Sequence, residues 1–197
     1  MTPQRHLVVF SHPNPESFNA RIFRAYIDEL AKRSHQVVVR DLYAMKFDPV
    51  LRMEDFEGAR GGAVPDDVRV EHDHVRWADV ITLISPIWWI SWPAMLKGYV
   101  DRVFSLNFAY RYGPGGVEGC LPGKRGVIVT SSGSTMENFV DTGKLTAVRT
   151  AQDVYTMEFC AIEMVEHLHF APVGRRTPPE RFDQMVDEAR ELVRRRF

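Results

Sequence analysis

The chain has 197 residues, 45% apolar and 26% charged, enough for one sizeable core and short for two ordinary domains, so a single domain over residues 1–197 is expected. Lys and Arg total 25 against 26 Asp and Glu, and the net charge of -1 excludes a general electrostatic pull toward nucleic acid or an anionic membrane. Cys120 and Cys160 lie far apart and outside any C-x-x-C spacing, which argues against a disulfide framework, a zinc site or a dithiol redox centre.

No apolar run approaches the roughly 20 residues of a membrane span, so no integral membrane segment is expected. Leu7-Val8-Val9-Phe10 is too short for the apolar region of a signal peptide, and a cytoplasmic protein with reduced thiols is the expectation. His6 to Ser11 is a continuous apolar run of the kind found in strands buried on both faces of a parallel sheet. It empties into His12-Pro13-Asn14-Pro15-Glu16-Ser17. The next segment, 18–33, places Ile22, Phe23, Tyr26, Ile27, Leu30 and Ala31 at helical spacing, with Ser17 or Asn19 as its cap. Strand, polar loop and helix start in this order make a natural anion site, because helix N-terminal amides and the macrodipole both favour negative charge. The loop matches neither the G-x-x-x-x-G-K-[ST] nor the G-x-G-x-x-G pattern. His12 and Ser17 are candidate phosphate donors, against the plain alternative of a capping serine and a solvent-facing histidine.

Residues 36–42 form a second strand, and two strands joined through a helix call for a right-handed crossover and parallel pairing. Residues 43–70, interrupted by Pro49, Gly58, Gly61, Gly62 and Pro65, form a long excursion with at most a short helix near 52–57. A helix over 70–78 precedes the third strand, 79–85. There the chain runs into Pro86-Ile87-Trp88-Trp89-Ile90-Ser91-Trp92-Pro93, and from Pro93 into a strongly periodic helix to Phe104. Three tryptophans at one strand exit suggest the walls of a flat site; the alternative is that they seal the sheet end against a neighbour. His72 and His74, like His167 and His169, are spaced two apart, but no further ligand completes a metal motif.

Residues 107–124 read as a Gly/Pro-rich loop carrying Tyr110 and Tyr112, which face one cleft or pack at a surface or dimer contact. The fourth strand, 125–130, ends in Ser131-Ser132-Gly133-Ser134, a small-residue loop that permits close backbone approach to a ligand. Residues 135–150 stay ambiguous, 151–164 read as a helix, 166–171 as the fifth strand, and 178–196 as a closing amphipathic helix. In an open α/β sheet of order 2-1-3-4-5, the loops after strands one, three and four would converge outside the carboxyl edge, where such folds bind ligands.

Several motifs in this order resemble the flavodoxin-like NAD(P)H:quinone oxidoreductases, the DT-diaphorase family: His12 with Ser17-Phe18-Asn19, Asp41-Leu42-Tyr43-Ala44-Met45, Pro86 to Ile90 with Pro93 to Gly98, Arg102-Val103-Phe104, Phe108 to Tyr112, and Thr130 to Gly133. The resemblance covers nearly the whole chain. It implies a doubly wound five-stranded parallel sheet with helices on both faces, a homodimer, and two-electron hydride transfer from NAD(P)H through a flavin to a quinone or similar small acceptor. It further implies His12, Ser17, Phe18 and Asn19 as flavin phosphate contacts, Pro86, Ile87, Trp88, Trp89 and Ile90 along the isoalloxazine, and Thr130, Ser131, Ser132 and Gly133 at its pyrimidine side. Trp89, Tyr110, Tyr112 and Phe159 are implied as substrate-pocket residues, some reaching across the dimer. Ser17-Phe18-Asn19, the loop around Gly61 and Arg181, placed like an adenine-side arginine, lean toward FAD over FMN. Competing expectations are a flavin-binding accessory subunit of a cation-efflux system and a reductase of azo or nitro compounds. One departure stands out: the tyrosine and histidine that relay charge in the mammalian members are missing from Met136 to Lys144, so no catalytic residue is assigned.

Overall fold

The computed structural model describes residues 3–197. In chain order the strands are β1 (Arg5–Phe10), β2 (Gln36–Asp41), β3 (Val80–Pro86), β4 (Tyr110–Gly113), β5 (Gly116–Gly119), β6 (Arg125–Ser131) and β7 (Glu163–Phe170). The helices are α1 (Phe18–Lys32), α2 (Met53–Ala59), α3 (Asp66–Trp77), α4 (Ala94–Val103), α5 (Met136–Asp141), α6 (Lys144–Arg149) and α7 (Pro179–Arg196). A π-helical stretch, Thr150–Met157, and a 3₁₀ turn, Glu158–Cys160, lead from α6 toward β7.

The main sheet has the order β2-β1-β3-β6-β7, every neighbouring pair parallel, which is the topology expected from the alternation of strands and helices. Its apolar strands serve two cores at once. Leu7, Val9, Ile81, Leu83 and Ile128 point to one face, against Val75 of α3 and Leu96, Tyr99 and Val103 of α4. Val8, Phe10, Val80, Ile84, Val127 and Val129 point to the other, against Ile22, Tyr26 and Leu30 of α1 and Met185, Ala189 and Leu192 of α7. Successive side chains of a strand alternate faces, so a strand covered on both sides must be apolar throughout.

The excursion between β2 and α3 is firmly held. Arg102 of α4, its side chain 4% exposed, pairs with Asp55 at 3.0 Å and Asp67 at 2.6 Å, and donates to the Asp48 carbonyl at 2.8 Å. A Cβ on Gly98 would lie 2.2 Å from the Pro49 carbonyl oxygen, so glycine there lets the excursion rest directly on α4.

Two expectations need correction. Residues 110–119 form an antiparallel hairpin, β4–β5, rather than an irregular loop; four-residue strands are too short to show periodicity. The helix expected over 151–164 stops earlier, at Ala161, which takes φ 63°. Glu163 and Met164 belong instead to β7, paired with Arg125 and Gly126.

Candidate active site

Three strand exits do converge. His12, Asn19, Pro86, Ile87, Trp88, Ser131, Ser132 and Gly133, joined by Val173, line one cleft of about 200 Å³ at the carboxyl edge of the sheet. Its first wall begins after β1, where Ser17 caps α1 by accepting the Ala20 N–H at 3.1 Å. That leaves the first-turn amides of Phe18 and Asn19 without intrahelical acceptors, at the positive end of the helix. Nδ1 of His12 meets the Asn14 N–H at 3.0 Å and the Asn14 carbonyl at 3.1 Å, which leaves Nε2 for another partner. Burial lowers the pKa of this imidazole, favouring its neutral form.

Asn19 is buried and grips Ser131 from both ends of its amide: Nδ2 donates to the hydroxyl at 3.0 Å, and the hydroxyl donates to Oδ1 at 3.1 Å. This ties the start of α1 to the end of β6. A backbone bond from the Ile87 N–H to the Ser131 carbonyl, 2.7 Å long, ties the β3 exit to the same point. Gly133 has ordinary backbone geometry, and a Cβ there would meet only the Val173 carbonyl oxygen at 3.6 Å. Neither φ nor packing demands glycine here; its effect is to leave bare backbone at the cleft.

The tryptophan segment is a tight turn. Trp88 and Ser91 exchange two backbone hydrogen bonds of 3.0 Å, and the residues between, Trp89 and Ile90, hold φ of 53° and 57°. Left-handed backbone at a bulky and a β-branched residue is strained, and strain of this kind concentrates where function requires a shape. Of the three, Trp88 alone lines the cleft; Trp89 is 99% exposed outside that lining, and Trp92 lies in the core.

The remaining expected site residues lie elsewhere in the chain. Tyr110, Tyr112 and Phe159 gather with Tyr155 and Phe104 around a second hollow, with Tyr110 and Phe159 ring centroids 5.3 Å apart. They do not line the first cleft. Arg181 bonds Glu188 of its own helix at 2.7 Å and is likewise absent from the cleft lining. Phe18 has its ring packed 5.3 Å from Phe182 and 5.8 Å from Phe170, so its contribution to the cleft is its backbone. Thr130 is buried, and its hydroxyl is taken by two histidines, at 3.0 and 2.8 Å. Burial pushes the Cys160 thiol up to about 12, which removes it as a nucleophile at neutral pH. Among the described residues no cluster suits a metal ion.

Sequence reasoning missed Val173 and the partners of Thr130. Val173 carries no signal of its own. His167 and His169, however, share a face of β7 by their spacing, and His169 stands in register with Thr130; weighing the pair only as metal ligands concealed this.

A family model described as a flavodoxin-like fold matches residues 4–193, and the chain belongs to that family. Over 169 residues it is 35% identical to a Haemophilus influenzae protein named an uncharacterized NAD(P)H oxidoreductase, covering 85% of this chain and 84% of the relative. It is 32% identical over 161 residues to the human ribosyldihydronicotinamide dehydrogenase [quinone], covering 73% of this chain and 69% of the human one. The solved NAD(P)H:quinone oxidoreductase of Methanothermobacter marburgensis superposes with a TM-score of 0.89 at 26% identity, over 96% of this chain and 97% of that one.

Proposed function

We propose that this protein is an NAD(P)H-dependent flavoenzyme that reduces quinones by two-electron hydride transfer, donor and acceptor using one site in turn. The observation that carries this reading is the cleft, where the start of α1, an apolar turn and a polar strand exit meet in a chain whose relatives bear NAD(P)H oxidoreductase and quinone dehydrogenase names. The residues suit a flavin. The Phe18 and Asn19 amides, with the Ser17 hydroxyl and His12 Nε2, offer donors for a phosphate. Pro86, Ile87 and Trp88 give a wall for a flat ring, and Ser131, Ser132 and the backbone at Gly133 give a polar edge. A bound flavin supplies the hydride chemistry; the protein stacks, orients and electrostatically tunes it.

Trp89, Tyr112, Tyr155 and Phe159 are exposed apolar groups that a monomer leaves uncovered. A second copy of the chain would bury them, and would bring the Tyr110, Tyr112 and Phe159 cluster over the partner's cleft as a substrate wall. FAD is preferred to FMN, with the α7 start, where Arg181 lies beside the Phe18–Phe182 contact, as the adenine-side element.

The test is extraction and identification of bound flavin from purified protein, followed by NAD(P)H turnover with a panel of quinones and by sedimentation. Bound FAD, quinone turnover and a dimeric mass are expected. Failure to bind any flavin, even on reconstitution, overturns the reading.

A further inference from the structure

Beneath the cleft lies an unbroken string of buried polar groups that joins it to the protein surface. The Ser132 hydroxyl, at the cleft, is 3.0 Å from Nε2 of His169. Nδ1 of His169 is 2.8 Å from the Thr130 hydroxyl, and that hydroxyl is 3.0 Å from Nε2 of His167. Nδ1 of His167 is 2.7 Å from Oδ1 of Asp153. Ser132, His169, Thr130 and His167 are all buried, whereas the Asp153 side chain is 16% exposed and reaches water.

With Asp153 ionised and both rings neutral, the donor and acceptor count has one self-consistent solution. A carboxylate only accepts, so His167 carries its proton on Nδ1 and presents a bare Nε2. Thr130 must then donate to His167 and accept from His169. His169 in turn carries its proton on Nδ1 and accepts from Ser132 at Nε2. His169, Thr130 and His167 thus each donate once and accept once, Ser132 donates and Asp153 accepts, and every link points from cleft to surface. Protonating Asp153 allows the same five groups to point the other way, with the Ser132 proton offered to the cleft. The string therefore has two complete arrangements that differ by one proton.

Burial favours the neutral form of His169. His169 is pushed down to about 4, chiefly by burial and further by its neighbours His167 and Arg149, and the Phe139 ring stacks on it at 4.7 Å. Arg149 is near His167 as well, donating to its carbonyl at 3.3 Å. Asp153 sits in the π-helical stretch Thr150–Met157, a rare backbone form that recurs at functional sites.

We propose that Ser132, His169, Thr130, His167 and Asp153 form the proton relay of this enzyme; this rests on the quinone reductase reading above. Reducing a quinone to a hydroquinone takes two electrons and two protons. The nicotinamide hydride brings both electrons and one proton. The second proton leaves the Ser132 hydroxyl for the cleft, His169 replaces it from Nε2, Thr130 reprotonates His169 at Nδ1, His167 reprotonates Thr130, and the Asp153 carboxyl reprotonates His167 at Nδ1. Asp153 is left ionised and regains a proton from water.

Two measurements decide this. Long-range ¹H–¹⁵N spectra of the purified protein at pH 7 are expected to show matching neutral tautomers, Nδ1–H on both His167 and His169. Opposite tautomers on the two rings, or a charged His169, would break the chain at Thr130 and overturn the relay. In kinetics, Asp153→Asn keeps an oxygen to accept from His167 but cannot exchange a proton, and Thr130→Val removes the central hydroxyl. Each is expected to lower kcat for quinone about a hundredfold with KM unchanged and a changed solvent isotope effect, while Thr130→Ser restores both. Wild-type kcat and isotope effect in Asp153→Asn and Thr130→Val would overturn the relay while leaving the quinone reductase reading intact. A wild-type protein that reduces no quinone would instead overturn that reading, and the relay's reaction with it, whatever the tautomers show.

Discussion

Replacing Arg102 with leucine should destabilise the protein severely, and the reason can be followed atom by atom. The guanidinium holds Asp55, whose side chain is as buried as its own, together with Asp67 and the Asp48 carbonyl. Leucine leaves Asp55 buried with one remaining partner, the Arg52 N–H at 2.8 Å. Breaking a buried pair by deleting one member costs about 3–5 kcal/mol, most of it the stranded charge. At about 2–4 °C per kcal/mol for a chain of this size, the melting temperature should fall by roughly 6–20 °C. Arg102→Leu combined with Asp55→Asn should recover a large part of the loss, because the second change removes that charge. Urea unfolding of the two single variants and the double variant measures all three terms. A loss below about 1 kcal/mol for Arg102→Leu, or a double variant worse than the sum of the singles, would refute the view that Arg102 pins the excursion through Asp55.

Trp89→Ala should leave unfolding within about 0.5 kcal/mol of wild type, since the side chain is 99% exposed, yet weaken flavin or substrate binding measurably by fluorescence titration; unchanged binding and turnover would remove Trp89 from the site. Asn19→Ala strips Ser131 of its partner and unties α1 from β6, so flavin affinity should fall by roughly tenfold or more, the equivalent of one lost buried hydrogen bond of about 1–2 kcal/mol; equal affinity in equilibrium dialysis would contradict that. Arg5 holds the Asp79 carboxyl down at about 2, against an ordinary 3.8. A depressed carboxylate contributes stability above its unfolded value and loses it as pH falls through the folded one, so Asp79→Asn should cost stability at pH 7, by less than about 1 kcal/mol for this half-exposed pair. The gap should shrink from pH 4 to pH 2 in acid titrations followed by circular dichroism, and a gap independent of pH would rule out the ion pair as its source.

Much of the architecture was legible in the residues. Apolar runs at 7–10, 80–84 and 127–129 could only be strands covered on both faces, and helical patterns between them forced parallel crossovers. The cap of α1 was narrowed to Ser17 or Asn19, and the structure gives it to Ser17, whose hydroxyl accepts the Ala20 N–H. The hairpin at 110–119 was not legible, since four-residue strands have no period to read. Nor was the early end of the helix near Ala161, because the pairing of Glu163 with Arg125 outweighs local propensity.

The site divided along similar lines. The polar and aromatic exits at His12 to Ser17, Pro86 to Trp88 and Ser131 to Gly133 announced themselves, since unusual residue types at strand ends survive without any partner. Local order alone could determine them: strand periodicity, capping and turn chemistry act over a few residues. Only the tertiary structure could decide that Trp92 is core while Trp89 is in water, that Arg181 turns to its own helix, and that Tyr110, Tyr112 and Phe159 sit apart from the cleft. The string from Ser132 to Asp153 belongs to the same class. Its members are separated by up to 39 residues and meet because β7 pairs with the end of β6, setting His169 opposite Thr130, and because the π-helical stretch brings Asp153 to His167.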